Sequence, residues 1–404
     1  MKIAIIGGGI TGLTAALRLL EKSHQVTIFE KEDCLGGLAA GFKKKSWDWT
    51  LENFFHHLFI SDEEAKKLIQ ELGLGQFLLY LRPKTSIFYQ GKIAQFDDFF
   101  SVLRFPGLTF LEKIRAGLVT FYLKLVSNWQ KFSSITAQNW LKKYYGQKIY
   151  RVLWEPLLKS KFGDYAPKVS MVWFWARIKK RSRRLGYLKG GFTLLIERLA
   201  QEIRALGGKI YLNQEIKSPQ KIIEQFDKII FTTPTPAFLK TKLPPMLGAL
   251  NLILALKEQF LTDGTYWLNV NEAGFPFVAV VEQTNLVDSR HYGGNRILYV
   301  GGYYPQSHRY FKLTVKEVLS EFWPYLKKIN PKFSRRSVIE SQLAINFYAQ
   351  PLVTVNYESL IPRLKTNIPK VLLANMQMVY PYDRGMNYAI EMGEKVAKII
   401  TNNE

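Results

Sequence analysis

The first thirty residues constrain this chain more than any other stretch. They read MKIAIIGGGITGLTAALRLLEKSHQVTIFE: an apolar β-branched run over Lys2 to Ile6, a glycine cluster, a helical pattern over Thr14 to Lys22 and a second strand pattern over Gln25 to Glu30. A near-continuous apolar run suits a strand buried on both faces of a parallel sheet, so the stretch predicts a βαβ unit with its glycines in the strand-to-helix turn. Gly7 is expected to permit the tight turn, Gly9 to let bare backbone approach a pyrophosphate, and Gly12 to let the helix pack closely on the strand. The helix amino terminus then presents unpaired N–H groups and the positive end of its dipole to the phosphates. Glu30, eighteen residues beyond Gly12, ends the second strand, where a carboxylate accepts ribose hydroxyls. It would repel a 2′-phosphate, which disfavours an NADP-type nucleotide. A lone G-x-G-x-x-G is weak, but strand, helix and acid at these offsets together read as dinucleotide binding.

Length and composition set the frame around that unit. A chain of 404 residues with 47% apolar content can build two compact domains with real cores. Its single cysteine, Cys34, excludes an internal disulfide framework and suits a reducing compartment, so the cytoplasm is the expected location. The opening apolar stretch is broken by glycines and lacks a small-residue cleavage site, so it is expected to be folded protein rather than a signal peptide. No charge-free run of about 18 apolar residues occurs, which argues against a spanning helix. A formal net charge of +23 favours an anionic partner: a phosphate-bearing cofactor, an acidic substrate, anionic lipid or nucleic acid. Part of it is concentrated between Tyr165 and Ile196, where eight basic residues stand without an acid. A solvated basic face would look the same. Five histidines in the whole chain make a zinc site improbable, and no metal is expected. Motifs for a serine hydrolase, a zinc protease or a Walker A loop are absent.

Six residues after Glu30 comes a second glycine pair, Gly36-Gly37, followed by Leu38. A bare backbone segment there would come against the phosphates of an elongated dinucleotide such as FAD. This E-x5-GG pairing resembles the FAD-dependent superfamily that contains the amine oxidases, protoporphyrinogen oxidase, phytoene desaturase and UDP-galactopyranose mutase. Many members have Arg after the pair, whereas Leu38 matches the desaturase-like and mutase-like branches.

The resemblance implies that the nucleotide domain returns twice. Tyr187 to Thr233 supplies a glycine pair, an amphipathic helix, a Gly207-Gly208 stop and strands ending in Thr232-Thr233-Pro234. In the family this stretch lies beside the adenine, and Ile216 is the matching backbone position. Val371 to Ile400 supplies a buried strand, the loop Asp383-Arg384-Gly385 and a helix from about Met386. Relatives aim that helix at the flavin's pyrimidine end, so Arg384, Gly385, Met386 and Asn387 are expected at the cofactor. The family often has an acid after this strand; here stand Asn375-Met376. Cys34 comes too early to match a covalent flavin attachment, so FAD is expected to be held non-covalently.

The implied fold is α/β. A Rossmann-like FAD-binding domain, a parallel sheet with helices, takes residues 1–75, 186–245 and 355–404. An α+β substrate domain with an antiparallel sheet and helices takes residues 76–185 and 246–354. Leu81 to Ala94 and Gly264 to Val281 read as its antiparallel strands, and Leu111 to Lys143 as mostly helical. Trp154, Trp173, Phe174 and Trp175, with Glu155 and Lys159, fit either a pocket for a large apolar substrate or plain core. The stretch Asp98 to Phe132 carries eight aromatic and five basic residues. It fits an interfacial helix on a membrane or a helix packed under the substrate domain. The resemblance to desaturases and porphyrinogen oxidases points to membrane-surface contact there; nucleic acid is not expected.

For chemistry, His56 and His57 follow the first FAD segment, where relatives pass the isoalloxazine ring. A neutral histidine there would accept or relay a proton as hydride passes. Adjacent residues on a strand face opposite ways, so one of the two at most is expected to face the flavin. Tyr348 stands where relatives bring an aromatic toward the flavin from the substrate side. The resemblance implies an FAD-dependent oxidoreductase that takes hydride from a carbon-carbon or carbon-nitrogen bond of an apolar or anionic small molecule. The alternative is a non-redox flavoenzyme similar to UDP-galactopyranose mutase, acting on a nucleotide sugar. A third class, a prenyl-protein escort resembling the GDP-dissociation inhibitors, is disfavoured by the intact glycines at 7, 9, 12, 36 and 37.

Overall fold

The computed structural model describes residues 1–402. Lys2–Ile6 forms the middle strand of a five-stranded sheet, in the order Lys209–Tyr211, Gln25–Phe29, Lys2–Ile6, Lys228–Phe231, Val371–Leu373. Every pairing in it is parallel. Ile3, Ala4 and Ile5 are completely buried, as expected of a strand covered on both faces.

Helices Ile10–Leu20, Thr193–Ala205 and Met386–Thr401 cover the sheet, the first packing against both of the others. Close approach explains two glycines. A Cβ on Gly12 would sit 2.1 Å from the Gly7 carbonyl oxygen, and one on Gly393 would sit 2.6 Å from the Thr11 oxygen. Arg18 ties the far end of the first helix down, 2.9 Å from Glu394 and 2.5 Å from Glu71.

A second, seven-stranded sheet stands beside the first. Its order is Val338–Pro351, Met246–Leu256, Arg296–Pro305, Ala279–Glu282, Thr265–Val270, Lys84–Tyr89, Lys92–Gln95. The expectation of antiparallel strands needs one correction: Thr265–Val270 runs parallel to Lys84–Tyr89. No hairpin joins these two, so nothing local dictates their relative direction. Met246–Leu256 divides its side chains by alternation. Leu250, Leu252 and Leu254 join a core with Val318, Phe322 and Leu326 of the Val315–Ile329 helix, while Ile253 and Ala255 join the core that contains Ile3 and Leu13.

The helical part expected over Leu111 to Lys143 is two helices, Phe110–Leu125 and Ala137–Tyr144, each started by a threonine cap. With Glu155–Phe162 and Met171–Lys180 they enclose an aromatic core. Trp173, Phe174 and Trp175 are nearly inaccessible within it, and Trp154 packs edge-on against Phe174 at 4.9 Å. The tryptophan cluster is therefore core and does not line the cavity described below. Lys159 and Glu155 pair with each other at the surface.

Candidate active site

Three distant stretches meet at the carboxyl ends of the parallel strands. Gly7, at φ +110°, has Thr232 so close that a Cβ would lie 2.7 Å from its Oγ1, and that hydroxyl donates to the Ile6 and Gly7 carbonyls. The Asn375 side-chain amide donates to the Thr233 carbonyl at 2.9 Å and so joins the third stretch to the second. Where relatives often carry an acid, Asn375 is thus committed to holding the loop together.

Within this junction lies a bare cradle. A Cβ on Gly9 would meet nothing within 4 Å, and one on Gly37 would lie 3.4 Å from the Gly9 Cα. Gly36, at φ +108°, donates its N–H to the Gly8 carbonyl, so the two glycine turns lie side by side. No side chain caps the Ile10–Leu20 helix at Gly9, nor the Met386–Thr401 helix at Gly385. The helices starting at Glu63, Glu155 and Thr193 also lack a side-chain cap, whereas those starting at Phe99, Phe110 and Val315 carry full capping boxes. Uncapped N–H groups are what an anion at a helix terminus uses.

Glu30 is buried beside the cradle, its Oε2 accepting from the Gly8 N–H at 2.6 Å and its Oε1 from the Glu32 N–H at 3.0 Å. Each carboxylate oxygen can accept a second bond, so two ribose hydroxyls remain compatible with it. The strand-to-loop segment leading to Ile216 runs alongside, since the Gln214 N–H donates to the Glu30 carbonyl. Ile216 itself is partly buried against the core of Ala4 and Ile229.

From Leu38 the groove opens into a cavity of about 230 Å3. Its walls include Leu38, His56, His57, Arg384, Gly385, Met386 and Asn387, which the sequence had placed at the cofactor. Both histidines line it. They lie in the irregular connection between Leu51–Glu52 and Leu58–Phe59, so strand alternation does not apply. His56 donates from Nδ1 to the Phe54 carbonyl at 2.5 Å, which leaves Nε2 as the proton-accepting nitrogen. His57 has a buried Nδ1 without a partner among the described residues. Burial lowers His56 to about 4, aided by the charge of Arg384, and lowers His57 to about 3, aided by Arg181. Both histidines are partly buried and line the cavity.

Tyr348 lies elsewhere. It is 44% exposed on the Val338–Pro351 strand, while the following residue, Ala349, faces the cavity. The strand is bulged here, its register against Met246–Leu256 shifting between Asn346 and Gln350, so that Phe347 and Tyr348 are both turned outward and Ala349 and Gln350 are both buried.

The cavity is also lined by Lys161, Arg177, Lys180, Arg181, Tyr303 and Asp383. Asp383 accepts from Trp173 Nε1 and Gln350 Nε2, each at 3.0 Å, and has the Lys161 ammonium 3.4 Å away. Burial alone would raise its carboxyl, but the charges of Lys161 and Arg384 outweigh that and hold it well below the usual range. Arg384 donates to the Tyr303 hydroxyl at 2.6 Å. Burial opposes ionisation of Tyr303, yet the charges of Arg384 and Lys161 lower it overall. The basic run was visible in the sequence, and Arg177, Lys180 and Arg181 at helical spacing were a signal that they share one face. Lys161 and Tyr303 carried no such signal, and Asp383 was read from the sequence only as part of the loop before the last helix. Among the described residues no group of three or more His, Cys, Asp or Glu is placed to hold a metal ion.

The family model described as flavin containing amine oxidoreductase matches residues 10–401. The 4,4'-diapophytoene desaturase of Staphylococcus aureus (strain COL) is 23% identical over 300 residues, covering 60% of this chain and 57% of that protein. The chain thus spans little more than half of that relative's length. A candidate protoporphyrinogen oxidase from Exiguobacterium sp. 255-15 shares the fold at a TM-score of 0.75 with 17% identity, over 100% of this chain and 99% of the other. A reduced UDP-galactopyranose mutase shares it at 0.73 with 14% identity, over 100% and 96%. The bare cradle, the two uncapped helix termini and Glu30 fit FAD, and the chain belongs to the flavin containing amine oxidoreductase family, with FAD as its cofactor.

Proposed function

We propose that the protein is an FAD-dependent oxidoreductase that takes hydride from a carbon-carbon or carbon-nitrogen bond of a small apolar or anionic molecule. The observation that carries this is that Leu38, next to the Gly37 of the bare cradle, lines one cavity together with an uncapped helix amino terminus and a neutral histidine pair. Bound FAD would supply the redox chemistry. Gly7, Gly9, Gly12, Gly36, Gly37 and Glu30 would hold its nucleotide part, with backbone at Ile216 beside the adenine. Leu38, Arg384 and the helix start at Gly385, Met386 and Asn387 would hold the ring. The N–H groups of that helix start favour negative charge there. Phe54, Phe55 and Phe59 on the cavity wall exclude water. His56, neutral at physiological pH with Nε2 free, accepts a proton from the substrate. The test is direct: purified protein is expected to be yellow, to carry about one FAD per chain and to be bleached by dithionite. A colourless preparation that cannot be reconstituted with FAD would overturn the proposal.

A non-redox reaction like that of UDP-galactopyranose mutase is the second reading, and the cationic wall, suited to a diphosphate, favours it. Turnover of a nucleotide sugar by the reduced enzyme alone, without net electron transfer, would establish it.

The proposal includes contact with an anionic membrane surface from a cytoplasmic location. Phe99, Phe100, Phe110, Leu111, Leu118, Phe121 and Leu125 are each more than 60% exposed, and the Phe110–Leu125 helix fully buries just Ala116 and Leu123. Arg104, Lys113, Arg115, Lys124 and Lys131 are interspersed with them, giving the combination of apolar face and cations that suits anionic headgroups. No helix of the described residues is long and apolar enough to cross a membrane.

A further inference from the structure

We propose that Arg177, Lys180 and Arg181 form an oxyanion-binding subsite, so that the substrate carries a carboxylate or phosphate group. The inference deepens the proposed function and rests on the flavin lying against the Gly385 side.

Charge balance is the first support. The cavity is lined by five cationic side chains, Lys161, Arg177, Lys180, Arg181 and Arg384, and by two carboxylates, Asp62 and Asp383. Both acids are engaged. Asp383 pairs with Lys161 and its charge also reaches Arg177, while Asp62 accepts from the Phe59 N–H at 2.8 Å and its charge reaches Lys180, which lies 4.6 Å over the Tyr382 ring. Arg177 and Arg181 have no side-chain hydrogen bond or carboxylate within ion-pair distance among the described residues; Arg177 rests over the Trp173 ring at 5.8 Å. Arg18 shows what this fold does with a structural guanidinium: it meets Glu21, Glu71 and Glu394. Burial, joined by the repulsion of the Arg177 guanidinium, lowers Arg181 to about 10. A bound anion relieves that repulsion.

Position is the second support. A cation at a helix carboxyl terminus is favoured by the dipole, which accounts for basic residues at the end of Met171–Lys180. It does not account for their direction. Lys179, in the same turn, is spent on the Lys124 and Leu125 carbonyls, whereas Arg177, Lys180 and Arg181 face the cavity. Nor do the cofactor's own phosphates account for these cations. Those have the Gly9 and Gly37 cradle on the parallel sheet, while the basic wall belongs to a helix of the other core. The same wall disfavours an alkylammonium substrate, which like charge would exclude.

The test uses FAD-loaded protein titrated with inorganic pyrophosphate and, separately, with sodium octanoate, following the visible spectrum of the flavin and the FAD retained after filtration. A saturable spectral change with pyrophosphate alone identifies a phosphate-type group; a change with octanoate alone identifies a carboxylate on an apolar body. Either supports the subsite if Arg177→Gln and Arg181→Gln each weaken it at least about tenfold. Arg181→Lys, which keeps the charge, is expected to retain more affinity than Arg181→Gln and serves if the latter fails to fold. The proposal is overturned if neither probe changes the wild-type spectrum, if the variants bind as the wild type does, or if octylamine binds as well as octanoate. Wild-type protein that holds no FAD would instead overturn the flavin assignment.

Discussion

The Asp383 carboxylate lies 3.4 Å from the Lys161 ammonium, although the two residues are 222 positions apart in the chain. Trp173, Gln350 and the Arg384 backbone all donate to the same carboxylate, so one residue ties the loop before the last helix to both sides of the cavity. Asp383→Asn should remove the negative charge and leave Lys161 without its partner in a mostly buried site. A stability loss of about 3 kcal/mol is expected by chemical denaturation. Adding Lys161→Met should restore part of it. A single variant as stable as the wild type would show that the pair has no structural role.

Gly9 and Gly12 separate cofactor binding from folding. A Cβ on Gly9 has open space and Gly12 has none, with the Gly7 oxygen 2.1 Å away. Gly9→Val is expected to keep the melting temperature of the apoprotein while FAD content falls sharply. Gly12→Val should lower both. Full flavin stoichiometry in Gly9→Val would remove the phosphate turn from Gly9.

Acid should destabilise the protein through its histidine pair. The ordinary histidine value is 6.5, and the folded values are lowered to about 4 for His56 and about 3 for His57. Unfolded chains therefore bind protons below pH 6.5 that the folded chain refuses. The stability contributed by the neutral pair is complete above that pH and drains away as pH falls toward the folded values. Asp383, held below its ordinary 3.8, adds to the loss at still lower pH. Thermal melts from pH 7 to 4 should show a shallower decline in His56→Gln/His57→Gln than in the wild type; equal slopes would contradict the burial described.

Phe110, Leu111 and Phe121 offer the exposed face a test of its own. Co-sedimentation with vesicles containing phosphatidylglycerol is expected for the wild type and should weaken with added salt. Replacing the three by Ser should abolish it without lowering the melting temperature, since each is at least 62% exposed. Vesicle binding unchanged by the triple replacement would locate the contact elsewhere.

The nucleotide half of the site was legible because its determinants are local. The turn at Gly7, the bare backbone at Gly9 and the close approach at Gly12 are properties of a few consecutive residues, and Glu30 follows at a distance set by one helix and one strand. The cavity was legible only in part. His56 and His57 were expected there but under a strand rule that an irregular connection does not obey. Tyr348 was expected there too, and a bulge in its strand turned it to solvent.

By itself, then, the sequence determined the βαβ unit, its glycine turns and the FAD-type cradle, since each depends on backbone conformation encoded within about thirty residues. Tertiary structure alone decided which cations face the cavity, that the tryptophans became core, and that Lys161, Tyr303, Asp383 and Arg384 converge. Such meetings follow from how sheets and helices pack across hundreds of residues, where no spacing along the chain records which side chains will touch.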